Sequence, residues 1–138
     1  MEPDLRCLSM LRAADAMLHA LGGAYVTLRF PGPRVEQDPR VGLPETLVED
    51  VAISPAVVRR IADQDGRRRL EVLLSANALR ALADLRSAAS PEALLETALG
   101  VLRDGALLRI ERVDSDIFAG TPYLYRLIVF SLPQVTTP

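Results

Sequence analysis

The sequence predicts a single α+β domain, residues 1–138, in which a mostly antiparallel sheet is packed with about three helices. Three observations support this prediction. Several short segments alternate apolar and polar residues as strands do, three others repeat apolar residues at helical spacing, and turn-forming Gly and Pro residues separate them. At 138 residues, the chain has the length of one domain with its own core.

The first two predicted elements are an amphipathic helix and a strand. Apolar residues recur every three or four positions over residues 4–21, and Gly22-Gly23 ends this pattern because glycine readily takes the left-handed conformation that closes a helix. Residues 25–30 then alternate, with β-forming residues throughout. The even-numbered residues of this strand are predicted to face the core.

Residues 31–46 are predicted to form an irregular loop. Four prolines and two glycines disfavour both a helix and an internal strand here. Loops longer than about 12 to 15 residues in compact domains are commonly functional or disordered, so this one is either a partner-binding arm or a tolerated surface insertion. The candidate partner-binding residues are Pro33, Arg34, Val35, Pro39, Arg40 and Val41.

After a second predicted strand at 47–53, residues 55–63 allow two interpretations. Ser54-Pro55 suits the start of a short helix. Alternatively, Asp65-Gly66 forms the two-residue turn of a hairpin whose second strand is 68–75, and this interpretation is favoured because it pairs like with like and charge with opposite charge. The predicted opposite pairs are Ile61 with Leu70, Arg60 with Glu71, Asp63 with Arg68, and Val58 with Leu73.

Two helices are predicted in the middle of the chain. Residues 76–86 have helical apolar spacing, with Ser75 or Asn77 as the N-cap. The second helix begins at Ser90-Pro91 and runs to about Leu99. Its start is well marked because serine caps free amides and proline suits the first helical position.

The remaining chain is predicted to be mostly strands. A hairpin with Asp104-Gly105 as its turn joins residues 101–103 to 106–113, and a polar connection follows over 114–121. The final strand, 123–132, has large apolar residues on both alternating faces, which is typical of a central strand covered on both sides. This run is shorter than the about 20 residues of a membrane-spanning helix.

Composition and motifs argue against the common chemistries. A net charge of −2 gives no field that would attract nucleic acid, and all sixteen basic residues are arginine. One cysteine and one histidine supply neither a disulfide nor the usual ligand set of a zinc site. The sequence lacks the G-x-S-x-G, G-x-G-x-x-G and P-loop motifs. We therefore predict no enzyme activity, cofactor, metal, specific nucleic-acid partner or membrane partner, and a cytoplasmic location.

Individual polar residues also have structural interpretations. His19 is predicted to be solvated and Cys7 to be a buried, inert thiol on the first helix. Asp114-Ser115-Asp116 offers oxygens to a divalent cation but lacks the further ligands of a calcium loop, so these residues are predicted to be solvated turn acids. Residues 67–69 are three arginines that we predict to lie at a solvated hairpin tip.

The second half of the chain resembles small prophage-encoded proteins that join phage heads to tails. The residues that carry this resemblance are 73–76, the segment 104–113 and the segment Gly120-Thr121-Pro122-Tyr123-Leu124-Tyr125-Arg126-Leu127. The resemblance implies a small sheet or barrel closed by the final strand, loops that reach neighbouring subunits in a ring, and a virion location. Such proteins work through shape and subunit packing, so it assigns no residue roles.

We therefore predict a non-enzymatic structural or interaction protein that acts as a homo-oligomer, with itself or another assembly protein as partner. Its Pro-rich loop and arginines would make the contacts between subunits. The alternative is a small-molecule-binding or enzymatic α+β domain whose site is assembled only in three dimensions. That alternative predicts a pocket lined by Asp114, Asp116, Tyr123 and Arg126.

Overall fold

The computed structural model describes residues 5–32, 47–61 and 68–131. These residues form a closed antiparallel barrel of six strands with three helices. Around the barrel, each strand pairs with the next in the order one, two, three, six, five, four, and the fourth strand pairs back with the first. In chain order the elements are α1 (Leu5–Ala20), β1 (Ala24–Pro31), β2 (Val48–Arg60), β3 (Arg68–Ser75), α2 (Ala76–Leu85), α3 (Pro91–Thr97), β4 (Gly100–Arg103), β5 (Ala106–Phe118) and β6 (Thr121–Ser131).

The predicted α+β sheet with packed helices is therefore wrong: the strands close into a barrel. Closure depends on a short ladder between β1 and β4, in which Thr27 lies opposite Leu102 and Arg29 opposite Gly100. Residue alternation is the same in an open sheet and in a barrel, since both have one inner and one outer face. The pattern identified the strands but did not determine whether the first and fourth strands meet.

Residues 55–60 are part of β2, which confirms the hairpin interpretation over the helix. The predicted register is wrong by one residue, because Arg59 rather than Arg60 lies opposite Glu71, and Val58 lies opposite Val72. Consecutive arginines satisfied the charge criterion in either register. A shift of one residue exchanges the two faces of a strand, so the inner pair of valines determines the register. The predicted turn at Asp65-Gly66 lies outside the described residues.

Pro55 lies inside β2 without ending it. The ladder with β1 is interrupted between the pairs Val26–Ile53 and Ala24–Ala56, so Pro55 falls in a bulge where it replaces no ladder hydrogen bond. Before the bulge β2 pairs with β1, and after it β2 pairs with β3. The predicted second strand and first hairpin strand are thus one continuous strand.

The β5–β6 hairpin is longer than predicted. Residues 114–118 were expected to belong to a connection, but they continue β5, and only Ala119-Gly120 forms the turn, with φ of 49° and 79°. The β4–β5 turn at Asp104-Gly105 is confirmed, with φ of 51° and 80°. Positive φ at both central residues is the geometry of a two-residue hairpin turn.

Helix α1 lies on the outside of the barrel, against β2, β3 and β6. Leu18 of this helix packs on outward-facing Val57, Leu73 and Leu124 in a small buried cluster. On the inner side of β6, Tyr125, Leu127 and Val129 are buried in the main core. The final strand is therefore covered on both faces where α1 crosses it, as predicted for its apolar pattern.

Helices α2 and α3 cover one end of the barrel, which we call the capped end. Ser75 and Ser90 cap the two helices by accepting hydrogen bonds from the backbone amides of Ala78 and Ala93. The helices contribute apolar side chains to the same core as the barrel interior: Leu79, Leu82, Ala83, Leu94 and Leu95. The described residues place no helix over the opposite end, which we call the open end.

Candidate functional site

The open end of the barrel contains a cavity of about 580 Å³. Six of its lining residues are apolar and lie at inward-facing positions of β1 to β5: Val26, Val58, Leu70, Val72, Val101 and Leu108. The cavity also contacts Thr27 and Leu102, the last pair of the β1–β4 ladder. The cavity therefore has an apolar floor and extends to the seam between these two strands.

Three arginines occupy inward-register positions where the strands reach the open end. Arg60 lies opposite Leu70, Arg68 precedes Leu70 by two residues, and Arg103 follows Val101 by two. All three are exposed, and Arg103 lines the cavity. We call Arg60, Arg68 and Arg103 the arginine rim.

Several arginines on the outer face of the barrel form ion pairs with carboxylates. Arg126 donates from Nη2 to Asp116 Oδ2 over 2.7 Å, and Arg29 donates from Nε to Asp50 Oδ1 over 2.8 Å. The hydrogen bond with Arg29 lowers the pKa of Asp50 below its ordinary value, and the hydrogen bond with Asp116 raises the pKa of Arg126. Further outer-face ion pairs join Arg59 with Glu71, Arg69 with Glu111, and Arg112 with Asp114. At the end of α2, Arg86 pairs with Glu49 and stacks on the Phe30 ring.

The arginine rim has no such partners within the described ranges. None of Arg60, Arg68 and Arg103 makes an ion pair or hydrogen bond there. The acidic residue among those that line the cavity is Asp104, in the β4–β5 turn. The open end therefore combines an apolar interior with three guanidinium groups that have no ionic partner among the described residues.

A second feature lies at the other side of the molecule, where α1 begins. Cys7 Sγ is 3.8 Å from the carbonyl oxygen of Phe118, which places the first turn of α1 against the tip of the β5–β6 hairpin. Four large apolar side chains in this corner are exposed, and we call them the apolar patch: Leu5, Leu8, Ile117 and Phe118. Leu5 and Ile117 are the most exposed of them, at 79% and 60%.

The structure does not assemble the pocket expected from sequence. The described cavity is lined by none of Asp114, Asp116, Tyr123 and Arg126. Asp114 and Asp116 instead pair with Arg112 and Arg126 on the outer face, and Tyr123 is half-buried beside the cluster beneath α1. These residues stabilise the barrel surface and do not converge on a site.

The other sequence-derived candidates have mixed outcomes. Cys7 is buried, as predicted, and His19 is exposed. The six loop residues proposed as partner contacts, Pro33 to Val41, lie outside the described residues and remain a prediction. Arg68, which was expected at a solvated hairpin tip, is exposed at the first position of β3 and belongs to the arginine rim, whereas Arg67 lies outside the described residues.

Sequence reasoning did not identify the arginine rim. Its signal was weak but present: an arginine stands two positions from an inward apolar residue at one end of β3 and of β4. Closure through β1 and β4 places all three arginines at the same end of one barrel, with β4 two strands from β2 instead of four.

This chain matches no family model, no curated protein and no solved structure in the comparisons made. The class that the coordinates define is thus a six-stranded antiparallel barrel with a two-helix cap and an external N-terminal helix. Within the described part of the chain, no helix is long and apolar enough to cross a membrane. The same residues hold no group of three or more His, Cys, Asp or Glu side chains placed to bind a metal ion.

Proposed function

We propose that this protein is a non-enzymatic interaction protein that associates with further copies of itself through the apolar patch. The observation that carries this proposal is the exposure of Leu5 and Ile117, at 79% and 60%, beside two further exposed apolar residues in the same corner. Clustered apolar exposure of this kind marks interaction surfaces, whereas single exposed apolar residues do not. Covering these side chains removes apolar area from water and so favours association.

Charges around the apolar patch support a second copy as the partner. Arg6 and Arg12 flank Leu5 and Leu8 on α1, whereas Asp114 and Asp116 precede Ile117 on β5. A copy related by a two-fold axis would bring Arg12 of one protomer towards Asp114 and Asp116 of the other, in addition to the ion pairs that these carboxylates make with Arg112 and Arg126 within the protomer. The same surface then serves both partners, as a closed symmetric dimer requires.

The resemblance to head–tail connector proteins supports a different geometry of the same function. A ring uses two different surfaces of each protomer, and the Pro-rich loop with Pro33, Arg34, Val35, Pro39, Arg40 and Val41 is the proposed second surface. A phage-derived assembly component of this kind would form a ring of several copies. Dimer and ring differ in mass, so one measurement separates them.

Light scattering coupled to size-exclusion chromatography tests the proposal. We expect the wild-type chain to elute as a multiple of its 15.0 kDa protomer mass and Ile117→Asp to elute as a monomer or to dissociate at least tenfold more readily. Leu85→Asp is the matched control, because Leu85 is 82% exposed on α2, away from the apolar patch. We expect this control to keep the wild-type mass.

Two results would contradict the proposal. One is a wild-type protein that stays monomeric at high concentration, and the other is an oligomer that Ile117→Asp and Leu8→Asp leave unchanged. Deletion of residues 33–43 provides a separate arm: a ring should open or lose copies, whereas a dimer formed by the apolar patch should persist.

A further inference from the structure

We propose that the open end of the barrel binds a small amphipathic anion, with its apolar body in the cavity and its carboxylate, sulfonate or phosphate head group on the arginine rim. This site lies apart from the apolar patch. The proposal goes beyond the self-association proposed above and does not depend on it.

The cavity provides the space for the apolar body of the ligand. Its volume of about 580 Å³ lies within the range of about 300 to 1,000 Å³ that is typical of small-molecule sites. At the capped end, α2 and α3 fill the corresponding space with leucine side chains. At the open end, the apolar layer that includes Val58, Leu70 and Val101 faces the cavity. An apolar ligand body would cover these side chains and remove their surface from water.

The arginine rim provides positive charge for the head group of the ligand. Five outer-face arginines and Arg86 at the end of α2 have carboxylate partners, whereas Arg60, Arg68 and Arg103, like the outer-face Arg109, have none in the described part of the chain. A guanidinium group presents several donors in a plane and pairs with two oxygens of a carboxylate or phosphate at once. Among the described residues that line the cavity, Asp104 is the acidic one, so three such groups favour an anionic head group.

A ligand with both an apolar body and an anionic head group would use the cavity and the arginine rim together. A bare anion would leave the cavity empty and would bind exposed arginines weakly, because salt screens such pairs. A neutral apolar ligand would fill the cavity without using the arginines. Arg103 joins the two features, since it lines the cavity and belongs to the rim. Tyr25, 67% exposed at the same opening, offers an aromatic face or a hydroxyl to the ligand.

Two fluorescent probes that share one aromatic body test the proposal. Anilinonaphthalene sulfonate carries the anionic head group and phenylnaphthylamine lacks it, so the ratio of their affinities measures the contribution of the charge. We expect one bound sulfonate probe per chain. The affinity ratio should fall about tenfold when Arg60, Arg68 and Arg103 are all replaced by glutamine.

Matched variants separate the open end from other sites. Arg109→Gln removes one charge from the outer face of β5 and should leave the ratio unchanged, because Arg109 is exposed and lies outside the cavity. Arg103→Lys keeps the charge and should retain the ratio within about threefold, whereas Arg103→Gln alone should lower it. Val58→Phe fills the cavity and should weaken both probes about tenfold.

Several outcomes would overturn the proposal. These are the absence of sulfonate-probe binding, an affinity ratio that the arginine variants leave unchanged, an equal loss in Arg109→Gln, or unchanged probe binding in Val58→Phe. Circular dichroism identifies any variant that fails to fold, and the pair Arg103→Gln and Arg103→Lys then carries the test. Repeating the titration in Ile117→Asp separates this site from self-association, because the proposal expects the same affinity in the monomer.

Discussion

The two ends of the barrel differ in what occupies the barrel interior. At the capped end, Leu79 and Leu94 fill the interior, and the Tyr125 hydroxyl donates a hydrogen bond to Glu92 Oε1 over 2.7 Å. At the open end, a similar apolar layer borders a cavity, and Arg60, Arg68 and Arg103 remain without ionic partners among the described residues. The same strands therefore support a packed core at one end and border a cavity at the other.

This difference predicts that the two ends contribute differently to stability and to the proposed ligand binding. Side chains at the capped end are buried on every side, so their removal leaves cavities that the structure does not readily fill. The rim arginines are exposed and Val58 is half-buried, so replacing these open-end side chains should change the folded core less. We expect mutations at the capped end to change stability and mutations at the open end to change binding.

The largest expected effect is that of Leu79→Ala at the capped end. Leu79 has no exposed surface, so truncation should lower the free energy of unfolding by about 3 kcal/mol. Val58→Ala, at a half-buried position lining the open-end cavity, should cost about 1 kcal/mol or less. Urea denaturation of both variants measures the difference. Equal losses would show that the two ends are equally packed.

A second comparison uses one glycine from each end. Gly100 begins β4 with φ of 155°, and a Cβ there would lie 2.2 Å from the carbonyl oxygen of Leu108. Gly100→Ala should therefore cost about 2 to 3 kcal/mol. Gly105, in the turn at the open end, has open space around its Cα, and Gly105→Asn should cost about 1 kcal/mol or less because asparagine tolerates left-handed φ. Thermal unfolding of both variants would show whether close packing is confined to Gly100.

The Tyr125 hydrogen bond predicts a smaller effect with a defined pH dependence. Burial, and second the hydrogen bond to Glu92, raise the pKa of Tyr125 above its ordinary value. The folded protein thus holds this proton more tightly than the unfolded chain. The resulting stabilisation is fully present below about pH 10 and is lost as the pH rises through the raised pKa. Tyr125→Phe should lower the free energy of unfolding by about 1 kcal/mol at neutral pH. It should also remove the part of the stability loss at alkaline pH that comes from this tyrosine.

Denaturation at several pH values between neutral and strongly alkaline checks the prediction for Tyr125. The control is Tyr25→Phe, which alters an exposed tyrosine at the open end. We expect this control to leave the free energy of unfolding at neutral pH close to wild type. An identical alkaline loss in wild type and Tyr125→Phe would assign the loss to other groups.

The smallest expected effects concern the arginines. Single replacements of Arg60, Arg68 or Arg103 by glutamine should change the free energy of unfolding by less than about 0.5 kcal/mol. Arg126→Gln should cost about 0.5 to 1 kcal/mol in low salt and less in high salt, because it removes a partly exposed ion pair with Asp116. A large loss of stability in any rim variant would mean that the rim supports the fold rather than a ligand.

Much of the local structure followed from the sequence because its causes are local. Ser75 and Ser90 cap helices through amides three residues away, and Asp104-Gly105 forms the predicted turn. The bulge at Pro55 and the continuation of β5 through Asp114-Ser115-Asp116 were missed. In both cases pairing with the neighbouring strand overrides a residue pattern that is typical of a break: β2 accommodates Pro55 in a bulge opposite β1, and Arg126 pairs with Asp116 across the ladder.

By itself, the sequence determined which segments are helices and strands and which face of each is apolar, since periodicity and capping act over a few residues. The tertiary structure alone decided that the strands close into a barrel. Closure requires Thr27 to meet Leu102 across much of the chain, and no local pattern encodes such a pairing. That same closure brings Arg103 to the end of the barrel where Arg60 and Arg68 lie, so the site proposed there exists only in three dimensions.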